Sequence, residues 1–251
     1  MPGKHALVTG SSQGLGSHLA ARLAQDGWKV TGLGRRPAAE ASPAPGVDHL
    51  QADLSNPEIL ETLPALLGGV PDLVIHNAVD YPDRGAGPLP LAGLERVFRV
   101  NALIPYLLTL RLLAERGPEQ PLCCIVVNSE AIFHADEQSG PYAASKAALR
   151  VLTSSLAETF RSKNASVATL LLGPLATPRM VAELRAVADK RGASEEEITR
   201  LFLRRSNPDL VIDELIDFEA CYSSIRYIAD LGPTANGMMC RLDGGSAGSL
   251  I

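Results

Sequence analysis

A chain of 251 residues that is 46% hydrophobic can bury one sizeable core and needs no second domain. Its formal charge of −5 offers no basic stripe to a phosphate backbone or an anionic membrane surface, which argues against nucleic acid or membrane as a partner. Cys123, Cys124, Cys221 and Cys240 lack C-x-x-C spacing and read as small core residues, which argues against a disulfide framework or a zinc site.

In chain order, residues 6–9 read as the first strand, followed at once by the turn Thr9-Gly10-Ser11-Ser12-Gln13-Gly14-Leu15-Gly16. Leu15, Leu19 and Leu23 then recur on one helical face up to a stop at Gly27. Strands are predicted over 29–33, 49–52, 73–76, 123–128, 167–172 and 238–242, and helices over 57–67, 91–100, 102–116 and 142–163. Residues 37–46 and 81–90 read as loops. Strands alternating with helices of this length imply parallel crossover units, so the expected fold is a single α/β domain: a doubly wound (Rossmann) parallel sheet of about seven strands with helices on both faces. The charged segment 178–206 interrupts the alternation and is expected to be a substrate lid, either recognising an anionic group through its arginines or, more plainly, exposing a solvated amphipathic face. The segment MPGKHALVTG lacks a long apolar signal region, and no later run of 18 residues is free of charges and breakers, which predicts a cytoplasmic protein.

The glycine turn has the spacing G-x-x-x-G-x-G between strand and helix, where glycines let backbone N–H groups approach a pyrophosphate. Gly10, Ser12, Gln13, Gly14, Leu15 and Gly16 are therefore dinucleotide-binding candidates. The second strand ends in Gly34-Arg35-Arg36. No carboxylate stands there to take the ribose hydroxyls of NAD, and two guanidinium groups stand ready for a 2′-phosphate, so NADP(H) is favoured over NAD(H). The alternative is that both arginines are solvated loop residues. Tyr142 and Lys146 lie one helical turn apart on the same face, where an ammonium can favour phenolate. Ser129, at the carboxyl end of the fifth strand, can hydrogen-bond a carbonyl or serve as a turn residue.

Together these pieces resemble the short-chain dehydrogenase/reductase family through nearly the whole chain. The resemblance extends to Asp53-Leu54 after the third strand, Asn77-Ala78-Val79 after the fourth, Asn101 in a helix, Gly173-Pro174 with Thr177 after the sixth, and the closing Asp243-Gly244-Gly245. It implies NADP(H)-dependent interconversion of a ketone or aldehyde with its alcohol. Tyr142 is then the proton donor or acceptor, Lys146 lowers the tyrosine pKa and holds the nicotinamide ribose, Ser129 orients the carbonyl, and Asn101 supports a proton-relay water. Asp53 and Leu54 are implied at the adenine, Asn77 and Ala78 at the ribose region, and Pro174 and Thr177 at the nicotinamide or pyrophosphate. The family's usual glycine is Val79 here, its Pro-Gly is inverted, and Gln13 stands where many NADP users carry a basic residue. The resemblance also implies a homodimer or homotetramer built on the helices at 102–116 and 142–163. Competing readings are a catalytically inactive dinucleotide-binding regulator and an NAD-dependent epimerase or dehydratase. The intact Asn101, Ser129, Tyr142 and Lys146 set weighs against the first, and the glycine spacing against the second.

Overall fold

Side chains alternate along each strand, and the two faces of the sheet carry different apolar sets. Ala6, Val8 and Ile75 join one buried cluster, whereas Leu7, Val74 and Val126 join the other. Strands with both faces apolar must be covered on both sides, which selects a parallel sheet with crossover helices. The structure, a computed structural model, describes residues 4–82, 89–134, 139–161 and 163–246.

The chain runs β1 (His5–Thr9), α1 (Gly14–Gln25), β2 (Lys29–Gly34), α2 (Ala38–Ala41), β3 (Val47–Gln51), α3 (Ile59–Leu67), β4 (Leu73–His76), α4 (Leu91–Phe98), α5 (Ile104–Glu115), β5 (Leu122–Ser129) and α6 (Gly140–Phe160). It continues with β6 (Ala165–Leu172), α7 (Pro178–Arg191), α8 (Glu195–Ser206), α9 (Phe218–Asp230) and β7 (Met239–Leu242). The strands form one parallel sheet in the order β3-β2-β1-β4-β5-β6-β7. Leu15, Leu19 and Leu23 of α1 pack with Tyr222, Ile225 and Ile228 of α9 on one face; α3, α5 and α6 cover the other with Leu63, Leu108, Leu112, Leu149 and Phe160.

The sheet is the expected one, and the helices depart from expectation in two places. The two helices expected at 91–100 and 102–116 are one helix, because a π turn over Arg99–Leu103 joins α4 to α5 without a break. Helix α9, which the strand-and-helix reading passed over, closes the face shared with α1. The 178–206 segment is a helical hairpin with its own small core of Leu184, Ala188 and Ile198, and each of its helices is capped by a hydroxyl, Thr177 for α7 and Ser194 for α8. The span Leu91–Glu115 is long and apolar enough to cross a membrane, with mean hydropathy 1.4, yet just over half of it is buried inside the fold. Of the loop expected at 81–90, residues 83–88 lie outside the described residues, as do 135–138 between Ser129 and Tyr142.

Candidate active site

From β1 the chain crosses to β2 on one side, and after β3 it returns to β4 on the other, so the carboxyl ends of β1 and β4 border the crevice where doubly wound sheets bind ligands. The turn leaving β1 holds Gly10 at φ 71° and Gly14 at φ 58°, conformations that favour glycine. A Cβ on Gly10 would lie 2.7 Å from Ala78 Cα, and one on Gly16 would overlap the Gly10 carbonyl. Thr9 Oγ1 ties the turn to β4 by accepting from the backbone N–H groups of Asn77 (3.1 Å) and Ala78 (3.0 Å). Asn77 Nδ2 in turn donates to the Thr9 and Gly10 carbonyls. Its amide thus shapes the glycine turn from behind. At the helix start Gln13 supplies no side-chain cap to α1, leaving the first-turn N–H groups to the crevice.

At the end of β2, Gly34 packs so closely on Ser12 that a Cβ would overlap the Ser12 hydroxyl. That hydroxyl is buried and has no hydrogen-bond partner among the described residues. Arg36 Nη2 donates to Gln13 Oε1 at 2.7 Å, drawing the guanidinium toward the glycine turn, and His49 Nε2 holds the Arg36 carbonyl at 2.8 Å. Gln51 Nε2 holds the Arg35 carbonyl. Asp53 caps its own turn by accepting from Ser55 N–H at 2.8 Å, while Leu54 is buried beside it.

Ser129 closes β5, and its Oγ accepts from Ala131 N–H at 3.2 Å. Asn128, which the motif reading did not single out, accepts from Ser129 N–H at 2.8 Å and donates to the Lys146 carbonyl at 3.1 Å, joining the strand end to α6. Lys146 is buried; its Nζ donates to the Val127 carbonyl at 2.8 Å, and burial lowers its pKa to about 8. Burial drives the Tyr142 phenol well above its ordinary range; the neighbouring Tyr81 adds to this, and a hydrogen bond with Ser129 opposes it. Lys146 has no part in this shift of the phenol. Tyr81 stacks on Tyr142 with ring centroids 4.8 Å apart and planes at 27°. Asn101, inside the π turn, is fully buried: it accepts from Asp80 N–H (2.7 Å) and donates to the Asp80 carbonyl (2.8 Å) and Ser145 Oγ (2.9 Å).

One cleft of about 560 Å³ is lined by the glycine turn, Arg35 and Arg36, Asp53 and Leu54, Asn77 and Ala78, Ser129, Tyr142, Lys146 and Thr177. Two expected residues do not line it. Asn101 lies behind the wall with its amide committed to Asp80 and Ser145, and the Pro174 carbonyl accepts from Ile216 N–H, leaving Gly173 and Leu175 to form the surface. The inverted Gly-Pro order has a local cause: a Cβ at Gly173 would lie 2.7 Å from the Asp243 carbonyl oxygen, so the glycine is needed first. The glycine cradle, the uncapped start of α1 and the unpartnered Ser12 hydroxyl fit a dinucleotide, whose phosphates accept from N–H groups and whose ribose can bond a hydroxyl.

A family model described as short chain dehydrogenase matches residues 4–188. The chain is similar to the uncharacterized oxidoreductase YvaG of Bacillus subtilis, at 27% identity over all of this chain and 98% of that protein. It is similar in fold to 4-hydroxyisoleucine dehydrogenase complexed with NADH (TM-score 0.77, 22% identity, covering 98% of this chain and 100% of that one). BdcA in complex with NADPH is also similar, with TM-score 0.76 and 20% identity over 99% of this chain and 96% of that one.

Proposed function

The chain belongs to the short-chain dehydrogenase family, and on that premise we propose that it uses NADP(H) to reduce a ketone or aldehyde carbonyl of a small molecule to an alcohol. The observation that carries the reading is that Ser129, Tyr142 and Lys146 line the same cleft as the glycine turn. A nicotinamide bound there would supply the hydride for a carbonyl carbon. Tyr142 gives the carbonyl oxygen its proton, and Ser129 orients that oxygen by a hydrogen bond. Burial keeps this phenol neutral, the form that carries the proton to be transferred. Lys146, at the inner end of this wall, holds the ribose hydroxyls. Asn101 acts from behind by fixing the Asp80 backbone and α6, in place of direct contact with substrate.

The preference for NADP(H) is supported at the end of β2. A carboxylate at Gly34 would meet the Ser12 hydroxyl, and Arg36 is drawn over the glycine turn by Gln13, so Gln13 serves as the anchor of a guanidinium where other members carry the charge themselves. Asp53 and Leu54 border the adenine, Ala78 the ribose, and Thr177 the nicotinamide end. The α7–α8 hairpin is the lid over this end of the cleft, supported by Thr177 and Met180 in the cleft wall. Three of its arginines pair with carboxylates of the hairpin or of the segment after it, Arg179 with Glu183, Arg185 with Glu195 and Arg200 with Asp213, which favours a solvated outer face over recognition of an anion.

The test is dinucleotide consumption against a panel of ketones, aldehydes, quinones, sugars and acyl thioesters. NADPH is expected to be consumed with at least one carbonyl class and NADH about tenfold less efficiently, the loss of one charge-assisted contact. Consumption of NADH at equal efficiency would overturn the cofactor assignment, and consumption of neither would overturn the reaction.

A further inference from the structure

Tyr81 belongs to no motif, yet it touches the most reactive side chain in the cleft. Its ring lies on that of Tyr142 at 4.8 Å, within the spacing at which offset aromatic pairs attract. One face of Tyr81 is covered by this contact and the residue is still 56% exposed, so the opposite face and the ring edge are open.

The stack is anchored from the backbone. Asn101 holds both the N–H and the carbonyl of Asp80, the residue preceding Tyr81, and the same amide donates to Ser145 Oγ, which donates to the Tyr142 carbonyl at 2.7 Å. Asp80 is further held by Arg96 Nε at 2.8 Å. The two tyrosines are therefore fixed from one buried asparagine.

The rest of the cleft suits an apolar partner for the open ring face. The wall segments that follow β4 and β6 add Val79, Leu175 and Met180. Among the described residues lining the cleft, the cations are Arg35 and Arg36 at the end of β2 and Lys146, whose ammonium donates to the Val127 carbonyl. On the reading above, the two arginines serve the 2′-phosphate and Lys146 the ribose hydroxyls, so none of these cations is assigned to a substrate carboxylate or phosphate.

We infer that Tyr81 is a positioning and specificity-determining residue: its ring braces the Tyr142 phenol, and its open face seats a flat aromatic or conjugated group attached to the substrate carbonyl. The inference rests on the carbonyl-reduction reading and names the substrate class for it.

The experiment uses acetophenone and methyl cyclohexyl ketone, two methyl ketones of similar size of which only the first is flat. NADPH-dependent kcat and KM are measured for the wild type, Tyr81→Phe and Tyr81→Ala. The ratio of kcat/KM, acetophenone over methyl cyclohexyl ketone, is expected to fall about tenfold in Tyr81→Ala and to be kept in Tyr81→Phe, since the ring and not its hydroxyl provides the seat. The bracing role predicts that Tyr81→Ala also lowers kcat for methyl cyclohexyl ketone with KM unchanged. An unchanged ratio in Tyr81→Ala overturns the inference and leaves the reduction reading intact. Should the wild type reduce neither ketone, acetophenone binding to the NADPH-loaded protein is measured by calorimetry. Binding weakened about tenfold by Tyr81→Ala upholds the aromatic seat and counts against reduction, whereas no binding, or binding indifferent to the substitution, overturns the inference.

Discussion

Lys146 is a charge that the fold would be more stable without. It is buried, its ammonium donates to a single backbone carbonyl, and burial lowers its pKa from 10.5 to about 8. Below pH 8 both folded and unfolded chains carry the proton, and the folded chain bears the full cost of a buried cation, at most roughly 3 kcal/mol. Between pH 8 and 10.5 the unfolded chain holds more protons than the folded one, so this contribution raises stability as pH increases. Lys146→Met is therefore expected to stabilise the protein at neutral pH by about 1–2 kcal/mol, after allowing for the donor lost from the Val127 carbonyl, and to abolish turnover. Denaturant unfolding at several pH values checks it: the advantage of the variant should shrink between pH 8 and 10, and a constant or growing advantage would contradict the burial argument. The Tyr142–Lys146 pairing is legible as an i, i+4 spacing. The target of the ammonium is not, because Val127 lies 19 residues away on a strand that only the folded sheet brings beneath α6. Tyr81 is hidden for the same reason, since a stack across 61 residues leaves no local period to read.

At the scale of elements, the end of β2 and the turn before α1 act as a unit. Arg36 is oriented by Gln13, and Gly34 makes room for the Ser12 hydroxyl. Arg36→Ala is expected to weaken NADPH binding about tenfold to a hundredfold, corresponding to one charge-assisted contact of roughly 1.5–3 kcal/mol, with little change for NADH. Gly34→Asp should lower NADPH affinity further by opposing charge and by displacing Ser12. Titration of both dinucleotides into the parent and the two variants decides the point, and NADPH affinity indifferent to both would show these arginines to be solvated loop residues. The glycine spacing and the missing carboxylate are visible in the sequence because each is a local pattern. The Gln13–Arg36 bond is not, and without it Gln13 looks like an argument against NADP. The same contrast governs the helices. Periodicity finds α1 and α6, whereas the join of α4 to α5 escapes it because the π turn keeps the helix going and shifts the phase of its buried face at Asn101.

For the whole molecule, the seven-stranded parallel architecture follows from apolar runs separated by helical periods, and strand limits shift by only one or two residues when the register is formed. Assembly is a separate matter. Leu103, Leu107 and Val151 are exposed on α6 and on the helix through α5, the two helices expected to pair between copies. Light scattering at micromolar concentration should report a dimer or tetramer, and Val151→Glu should shift it toward monomer; a monomeric parent would remove this expectation. The proposed reaction turns on one proton. If Tyr142 delivers it, Tyr142→Phe keeps the ring, the stack on Tyr81 and the cleft, and loses the hydroxyl that carries the proton together with its hydrogen bond to Ser129. Turnover with any carbonyl accepted by the parent should then fall by about 10² or more while NADPH affinity stays within about twofold. Near-normal turnover in Tyr142→Phe, with the dinucleotide still bound, would contradict the account.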